Sequence, residues 1–263
     1  MNALLRLPED EIHLWFAFPG DFGDPGVPAR GTLSLGEIAR MKRLRTAEGR
    51  RLFMVSHLLA RTTLSLYWQH APAEWRFVAN RYGKPRLDPQ MGPIPLEFSL
   101  SHTAGLAVFA LTRGTAIGVD VETVSRSVKA LRLGRRFFSP EEAERFSELP
   151  PEKASHFFHY WTLKESCLKA LGRGLSLPPD SVAFRLSEDT PCRIELSGNC
   201  LQDPETWRFA LLEPAGGYVA AVSVKLGRSK PVKVACRRAL PFGEAADLEW
   251  KPAGGSEGVE FRL

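Results

Sequence analysis

The 263 residues predict the same order of secondary-structure elements twice, and this repetition is the feature that most constrains the fold. Each half predicts a strand, a short helix, a long helix, one or two short strands and then a β-hairpin. The first set lies between Ile12 and Leu111, and the second between Ala116 and Val224. This order predicts an α+β protein built from two similar halves. The identity between the halves is weak, so a coincidental repetition is the alternative.

The predicted helices have clear start and stop signals. Ser34 with Glu37 matches a capping box, Ser139 is a predicted N-cap, and Gly172 predicts a C-terminal stop. The first half predicts a strand at Ile12–Phe18, helices at Ser34–Leu44 and Glu48–Trp68, a strand at Trp75–Ala79, and a hairpin of Leu96–Leu100 with Leu106–Leu111. The second half predicts a strand at Ala116–Glu122, helices at Ser139–Leu149 and Ala154–Leu171, strands at Val182–Leu186 and Arg193–Leu196, and a hairpin of Trp207–Leu212 with Tyr218–Val224.

The pattern divides the chain into three parts. Residues 1–114 form an N-terminal α+β half, and residues 115–226 form a C-terminal half that carries the candidate catalytic groups. Residues 227–263 form an extension, for which we predict one strand at Val232–Cys236 and a tail along the surface. A basic cluster in the extension is more typical of a solvated surface than of a binding site; it comprises Arg228, Lys230, Lys233, Arg237 and Arg238.

Composition excludes several classes of protein. With 44% hydrophobic and 25% charged residues, the chain is neither disordered nor of low complexity. Four scattered cysteines without metal-ligand spacing are typical of free thiols in a reducing compartment. The N-terminus lacks the apolar core of a signal peptide, and no apolar run reaches the length of a membrane helix. We therefore expect a cytoplasmic protein with no membrane partner, and its net charge of +5 favours acidic partners.

The strand at 117–122 reads Ile-Gly-Val-Asp-Val-Glu and carries the first candidate site. Because side chains alternate between the faces of a strand, Asp120 and Glu122 share one face, about 6–7 Å apart at the backbone. The three apolar residues share the other face, which predicts that it borders a core. Carboxylates without His or Cys suit a hard ion such as Mg²⁺ or Mn²⁺. The alternative is a pair of carboxylates that are solvated or paired with arginine.

The long helix of the second half carries a carboxylate on its apolar face. At 100° per residue, Glu165 lies between Trp161 and Phe158, and Lys169 lies one turn further on. A buried ionised carboxylate is costly unless it is paired or bound to a metal. One solution is an ion pair between Glu165 and Lys169, and the other is a metal ion shared with the carboxylates of the strand.

Smaller motifs carry weaker signals. His102 follows a predicted strand beside Ser101, an arrangement that suits contact with a phosphate, or else a capped turn. Gly83 with Lys84 predicts a turn that presents a lysine, or else an ordinary surface turn. Two groups of basic residues are candidates for anion contact or for solvated helix faces; they are Arg43, Arg45, Arg50 and Arg51 in the first half, and Arg126, Lys129, Arg132 and Arg135 in the second.

Together these motifs resemble the Sfp-type 4′-phosphopantetheinyl transferases over roughly residues 10–225. The matching runs are Gly83-Lys84-Pro85, Ser99-Leu100-Ser101-His102, Gly118-Val119-Asp120-Val121-Glu122, Phe137-Phe138-Ser139-Pro140-Glu141-Glu142, and Trp161-Thr162-Leu163-Lys164-Glu165-Ser166 with Lys169-Ala170-Leu171-Gly172-Arg173-Gly174-Leu175. The resemblance implies a pseudo-twofold arrangement of two similar α+β subdomains, with coenzyme A in the cleft between them. It also implies transfer of 4′-phosphopantetheine from coenzyme A to a serine of an apo carrier protein, with release of 3′,5′-ADP.

The resemblance also implies a role for each matching residue. Asp120, Glu122 and Glu165 would hold Mg²⁺, and the catalytic residues would be Glu165, Lys169 and Asp120. Glu165 would accept the proton of the carrier serine, and Lys169 would stabilise or protonate the leaving phosphate. Contacts with coenzyme A would come from Gly83, Lys84, Ser101, His102, Lys164, Lys169 and, near the start of the first long helix, Arg45 and Arg51.

The implied partner is an acidic acyl, peptidyl or aryl carrier domain, and no nucleic acid. The basic residues between Arg126 and Arg136 are our candidate docking face, because opposite charges accelerate association. The doubled length favours a monomer. Two alternatives are an Mg²⁺-dependent phosphodiesterase or nuclease, which would use the same carboxylates, and a basic nucleic-acid-binding module, which would not need Glu165.

Overall fold

The computed structural model describes residues 3–23, 31–124, 137–148, 156–197, 201, 203–227 and 230–262. Two β-sheets pack against each other, and a long helix covers the outer face of each sheet. The apolar row of the strand at 117–123 lies in the core between the sheets, as its alternation predicts. Each sheet with its helix corresponds to one α+β half, so the α+β fold class with two similar halves is confirmed.

The first sheet has six strands in the described part of the chain, three from the N-terminal half and three from the extension. Its order is β12-β11-β1-β5-β4, with β14 paired to β11. β1 runs parallel to β11 and antiparallel to β5. The bounds are β1 Glu11–Ala17, β4 Leu96–Thr103, β5 Leu106–Arg113, β11 Val232–Ala239, β12 Ala245–Ala246 and β14 Val259–Arg262. A separate two-stranded sheet joins β2 Phe77–Ala79 and β3 Pro85–Leu87.

The second sheet belongs mainly to the C-terminal half and has the order β6-β10-β9-β13-β8-β7. Its edge strand β6 carries the two carboxylates and pairs antiparallel with β10, where Asp120 lies opposite Ala221 and Glu122 opposite Val219. The bounds are β6 Ile117–Thr123, β7 Phe184–Leu186, β8 Cys192–Leu196, β9 Trp207–Glu213, β10 Tyr218–Lys225 and β13 Lys251–Gly255.

Four helices of the described residues begin and end close to their sequence signals. They are α1 Leu35–Lys42, α2 Ala47–Tyr67, α3 Pro140–Glu148 and α4 His156–Leu171. Ser34 and Glu37 form the predicted capping box of α1. Ser139 and Glu142 make the corresponding pair of hydrogen bonds at the start of α3. α4 is followed by Gly172, whose φ of 65° is the left-handed conformation that ends many helices.

The extension is more ordered than the sequence predicted. We predicted one strand and a surface tail, but the structure has four strands there, β11 to β14. β11 lies beside β1 in the first sheet, and β13 lies between β8 and β9 in the second. The error arose because β13 contains Pro252 and three small residues, which carry no alternating pattern for a strand prediction. The division at residues 114 and 226 stays a prediction.

The described cysteines and helices were also the subject of sequence predictions. Cys167, Cys192 and Cys236 are free thiols, as predicted, and Cys200 lies outside the described residues. Within the described ranges, every helix is too short or too polar to cross a lipid bilayer.

Gly118 permits helix α4 to cross strand β6 at very short range. A Cβ atom at this position would collide with the carbonyl oxygen of Ser166 and the amide nitrogen of Ala170, both on α4. Opposite Gly118 in the sheet, Ser223 shares a hydrogen bond of 2.6 Å with Ser166. The crossing therefore depends on small residues on both elements, and it brings the polar face of β6 against the helix.

We predict that Gly118→Ala destabilises the protein by at least about 1–3 kcal/mol, because the added methyl group meets backbone atoms that cannot rotate away. The measurement is urea unfolding followed by circular dichroism. Gly36→Ala on α1 is the matched control, because no heavy atom lies within 4 Å of its Cβ position. The control should be neutral or gain up to about 1 kcal/mol. Equal stability of the two variants would contradict the proposed crossing.

Candidate active site

Strands β4 and β6 lie side by side where the two halves meet, and polar side chains join them. The backbone amide of Val119 donates a 3.0 Å hydrogen bond to the Ser99 hydroxyl. Two residues further along, the Ser101 hydroxyl donates to Oδ1 of Asp120 at 2.8 Å. The candidate site is therefore assembled across the junction of the halves.

Asp120 is the centre of a buried polar network. Its Oδ1 accepts hydrogen bonds from Lys169 Nζ at 2.6 Å and from Ser101, and Lys169 also donates to the Ser101 hydroxyl at 2.8 Å. The lysine therefore pairs with the strand carboxylate rather than with Glu165, the partner considered from the sequence. The other oxygen of Asp120, Oδ2, is buried and accepts no hydrogen bond. A buried, unpartnered carboxylate oxygen is costly unless a cation binds it.

Glu122 lies on the same face of β6 as Asp120 and faces the N-terminal part of α4. The indole of Trp161 donates a 3.1 Å hydrogen bond to its Oε1. Burial, followed by the negative charge of Asp120, raises the pKa of Glu122 to about 7, and Glu165 contributes in the same direction. The indole and the ammonium of Lys169 offset only part of this effect.

Glu165 is the third carboxylate of the site. Burial and the charge of Asp120 raise its pKa, against the opposing charge of Lys169. Because these groups act on one another's ionisation, Asp120, Glu122 and Glu165 form one electrostatic cluster with Lys169 as their shared cation. Three carboxylates and one ammonium leave an excess of negative charge when all are ionised.

The donor set suits a hard divalent cation, although the side chains are not closed around a single point. Among the described residues, no three acidic, histidine or cysteine side chains stand at ligand positions around one centre. Oδ2 of Asp120 nevertheless accepts no hydrogen bond, and burial and the charge of Asp120 raise the pKa values of Glu122 and Glu165 more than the charge of Lys169 lowers them. Carboxylate oxygens are the ligands that Mg²⁺ prefers, so the chemistry of these three side chains fits such an ion.

A cavity of about 270 Å³ opens beside this cluster between the two halves. Gly83 and Lys84 line one wall, on the turn between β2 and β3, and Glu165 with Lys169 lines the other. Lys84 donates a 2.9 Å hydrogen bond to the carbonyl of Ile117, and burial lowers its pKa. The structure therefore brings these four predicted site residues together in one cleft.

His102 lies at the outer end of the network, on β4 next to Ser101. Its pKa is lowered by partial burial and by the charge of Lys169, while Asp120 acts in the opposite direction. The imidazole therefore lies near enough to Lys169 and Asp120 for both charges to affect its pKa. A neutral imidazole can donate a hydrogen bond to an anion from one nitrogen.

Arg45 and Arg51 lie at the start of α2. The Arg51 guanidinium donates to the carbonyls of Pro19 at 3.1 Å and Gly23 at 2.6 Å, which fixes its orientation. Arg45 is exposed in the turn before the helix. No contact joins either arginine to the carboxylate cluster in the described residues. The basic residues between Arg126 and Arg136 lie outside those residues.

Lys164 does not lie in the cleft, so the structure contradicts its predicted contact with coenzyme A. Its side chain is 0% exposed and makes a 2.7 Å ion pair with Glu142 of α3. It also donates hydrogen bonds to the carbonyls of Pro179 and Val182. Although Lys164 and Glu165 are adjacent in sequence, the turn of the helix points them in different directions. Lys164 holds α4 against α3 and the segment before β7.

We predict that Lys164→Met costs about 3–5 kcal/mol of stability, because it leaves Glu142 buried without its cation. The double variant with Glu142→Gln should recover part of this loss, since both charges are then removed. Thermal and urea unfolding measure the effect. A folded Lys164→Met protein with normal stability and weakened coenzyme A binding would instead support a role in the cleft.

Sequence reasoning missed the part that Trp161 and Glu142 play around the site. The motif placed Trp161 on the same helix face as Glu165, but nothing in the pattern paired its indole with Glu122 on another element. The capping position of Glu142 was visible in the Ser-Pro-Glu-Glu run, whereas its ion pair with Lys164 joins residues 22 apart. The one sequence signal for this ion pair was the position of Glu142 at a predicted helix start, and that signal does not identify the partner.

A family model and the similar curated proteins indicate the same family. Residues 116–223 match the model of the 4′-phosphopantetheinyl transferase superfamily. The chain is 34% identical to the 4′-phosphopantetheinyl transferase HetI of a Nostoc species, over 84% of this chain and 90% of HetI. It is also 34% identical to a 4′-phosphopantetheinyl transferase of Bacillus subtilis, over 65% of this chain and 80% of the relative.

One of the similar solved structures is the holo-[acyl-carrier-protein] synthase of Thermotoga maritima. It is 22% identical, covers 43% of this chain and 65% of its own, and has a TM-score of 0.32. The match to HetI over nearly its whole length is the stronger finding, and it favours neither the nuclease nor the nucleic-acid-binding alternative. The chain therefore belongs to the 4′-phosphopantetheinyl transferase superfamily.

Proposed function

We propose that the protein transfers the 4′-phosphopantetheine group of coenzyme A to a serine of an apo carrier protein, in an Mg²⁺-dependent reaction. Coenzyme A is the substrate that this family uses. The observation that carries the mechanistic part is Asp120, whose one oxygen binds Lys169 while its other oxygen is buried without a partner beside two glutamates of raised pKa.

Asp120, Glu122 and Glu165 would hold the Mg²⁺ ion. The bound ion would supply positive charge to the pyrophosphate of coenzyme A and lower the cost of charge on its oxygens. Within the protein, the Trp161 indole holds one oxygen of Glu122 and leaves the other free. Ser101 and Lys169 likewise hold Oδ1 of Asp120, and Oδ2 accepts no hydrogen bond.

Glu165 and Lys169 would move the protons of the reaction. The raised pKa of Glu165 makes it a stronger base than a solvated glutamate, so it can accept the proton of the carrier serine. The serine oxygen then forms a bond to the β-phosphorus, and the bond from that phosphorus to the bridging oxygen of 3′,5′-ADP breaks. Lys169 lies one helical turn from Glu165 and donates to the oxygen that leaves.

The remaining predicted contacts with coenzyme A divide between the cleft and the start of α2. Gly83 and Lys84 line the cleft, and Ser101 donates a hydrogen bond to Asp120 beside it. With His102, these residues would offer backbone, ammonium, hydroxyl and imidazole groups to a phosphate. Arg45 and Arg51 stay candidates for the 3′-phosphate. Docking of an acidic carrier domain at Arg126–Arg136, a monomeric state and a cytoplasmic location stay predictions.

We predict that Glu165→Gln lowers the rate of transfer at least about 100-fold, because an amide cannot accept the serine proton. The measurement is the mass gain of an apo carrier protein incubated with coenzyme A and Mg²⁺. Glu141→Gln, an exposed glutamate on α3, is the matched control and should retain activity. Circular dichroism should show both variants folded. Retained activity of Glu165→Gln would exclude it as the base.

We also predict that Mg²⁺ binding releases protons and weakens below neutral pH. In the free protein Glu122 has a pKa of about 7, so below that pH it is largely protonated and the ion must displace a proton. Affinity should rise with pH up to about 7 and level off above it. Titration calorimetry in buffers of different ionisation enthalpy counts the protons released. Glu122→Gln should reduce the pH dependence to the part that Glu165 contributes, because the pKa of Glu165 is also raised. An affinity independent of pH in the original protein would contradict the assignment.

A further inference from the structure

Asn80, directly after β2, uses three of its four polar atoms to hold the turn that carries Gly83 and Lys84. Its backbone amide donates to the carbonyl of Lys84 at 2.9 Å, and its own carbonyl accepts from Gly83 at 3.0 Å. Its side-chain Oδ1 accepts the backbone amides of Tyr82 at 2.9 Å and Lys84 at 3.0 Å. An asparagine that binds backbone groups a few residues further along fixes the shape of a turn. The side chain therefore holds this turn in one shape.

The fourth polar atom of Asn80 joins the turn to the end of helix α4, in the C-terminal half. Nδ2 of Asn80 donates a 2.7 Å hydrogen bond to the carbonyl oxygen of Gly172, the residue after α4. Carbonyl groups at a helix C-terminus lack partners within the helix, so this bond satisfies one of them. The amide of Gly172 in turn donates to the carbonyl of Lys169 at 3.1 Å. Hydrogen bonds therefore lead from the turn to the residue that provides the ammonium group of the site.

The turn and the helix end also pack closely at Gly172, which is buried. A Cβ atom at position 172 would lie 3.2 Å from Nδ2 of Asn80 and 3.3 Å from Cδ of Lys84. The φ of Gly172 is 65°, a conformation that glycine adopts without strain. The glycine therefore both ends the helix and lets the two side chains of the turn approach it.

A second link joins the turn to the C-terminal half, but it uses a group that the proposed function assigns to the substrate. The ammonium of Lys84 donates a 2.9 Å hydrogen bond to the carbonyl of Ile117, at the start of β6. A phosphate of coenzyme A that bound this ammonium would compete with the carbonyl for it. The bond between Asn80 and Gly172 involves no charged group and does not compete with a phosphate. It is therefore the link that can hold the turn against α4 with or without the ligand.

We propose that Asn80 is a positioning residue, which fixes the turn of Gly83 and Lys84 relative to α4 so that both walls of the cleft are in place before coenzyme A binds. This inference rests on the proposed function and concerns binding rather than the chemical step. Tyr82, Gly83 and Lys84 line the cavity, whereas the described lining does not include Asn80. A site that is ordered in advance loses less conformational freedom when its ligand binds. Loss of the Asn80 side chain should therefore weaken binding of coenzyme A without removing a group from the reacting atoms.

Two substitutions separate the shape of the turn from its link to α4. Asn80→Ala removes all three side-chain hydrogen bonds. Asn80→Asp keeps an oxygen that accepts from the amides of Tyr82 and Lys84, but it has no N–H group for the carbonyl of Gly172. If the link to α4 positions the turn, Asn80→Asp should impair binding of coenzyme A as Asn80→Ala does. Asn80→Asp also decides the question alone if Asn80→Ala does not fold.

The matched control is Asp88→Ala, which breaks a similar turn at the opposite end of the same two-stranded sheet. Oδ1 of Asp88 accepts the backbone amide of Gln90 at 2.9 Å. In the described part of the chain, the hydrogen bonds and the ion pair of Asp88 all lie within residues 76–91, so they do not reach α4. Circular dichroism and thermal unfolding show whether each variant is folded at the assay temperature.

Binding of coenzyme A is measured by titration calorimetry with Mg²⁺ and without a carrier protein, and transfer is measured from the mass gain of an apo carrier protein. Asn80→Ala and Asn80→Asp should each raise the Kd and the KM for coenzyme A about tenfold, while kcat and the KM for the carrier change less than about threefold. Asp88→Ala should leave all four values within about twofold of the original. Because Asn80→Asp adds a negative charge, its Kd is compared with that of the original protein at low and at high salt, since salt screens repulsion between charges.

A Kd for coenzyme A within twofold of the original in Asn80→Ala would overturn the proposal, as would an equal loss of affinity in Asp88→Ala. Original affinity in Asn80→Asp would also overturn it, because the shape of the turn would then suffice without the link to α4. A loss in Asn80→Asp that disappears at high salt would have the same meaning. Binding of coenzyme A that depends on Asn80, without transfer to any carrier protein, would reject the proposed function but support the positioning role.

Discussion

The close crossing of α4 over β6 at Gly118 is the contact on which the candidate site depends. Because neither element has a bulky side chain at the crossing, the helix backbone lies directly on the strand. The residues beside the crossing, Glu165 and Lys169 on the helix and Asp120 on the strand, are then forced together. A larger residue at position 118 would separate the helix from the strand. The hydrogen bond between Lys169 and Asp120 would then be lost, although neither charged residue had been changed.

The crossing brings three partly or fully buried carboxylates close together, and hydrogen bonds within the protein satisfy only some of their oxygens. Lys169 and Ser101 satisfy one oxygen of Asp120, and Trp161 satisfies one oxygen of Glu122. The other Asp120 oxygen accepts no hydrogen bond, and burial together with the negative charge of Asp120 raises the pKa values of both glutamates. In the proposed function, a bound divalent cation would offset both of these costs and would stabilise the assembled carboxylates.

Much of this arrangement was predictable from the sequence. Alternation along β6 gave the faces of Asp120 and Glu122, helical periodicity gave the side of α4 that holds Glu165, and capping patterns gave the helix starts. These signals are local, and the structure agrees with them. Contacts between distant elements were not predictable: the pairing of Lys169 with Asp120 rather than Glu165, and the strands of the extension, depend on packing that no short-range pattern records.

The two lysines of α4 show why motif and structure must be considered together. Lys164 and Lys169 both belong to the motif that suggested the family, and both are paired with carboxylates. Lys164 is fully buried between α3 and α4, where its loss would affect stability. Lys169 is partly exposed at the cleft, where its ammonium can exchange Asp120 for a phosphate oxygen. Residue type and spacing in the sequence do not distinguish the two lysines. In the structure they lie on different faces of α4, so Lys164 stabilises the packing of the helices and Lys169 is accessible from the cleft.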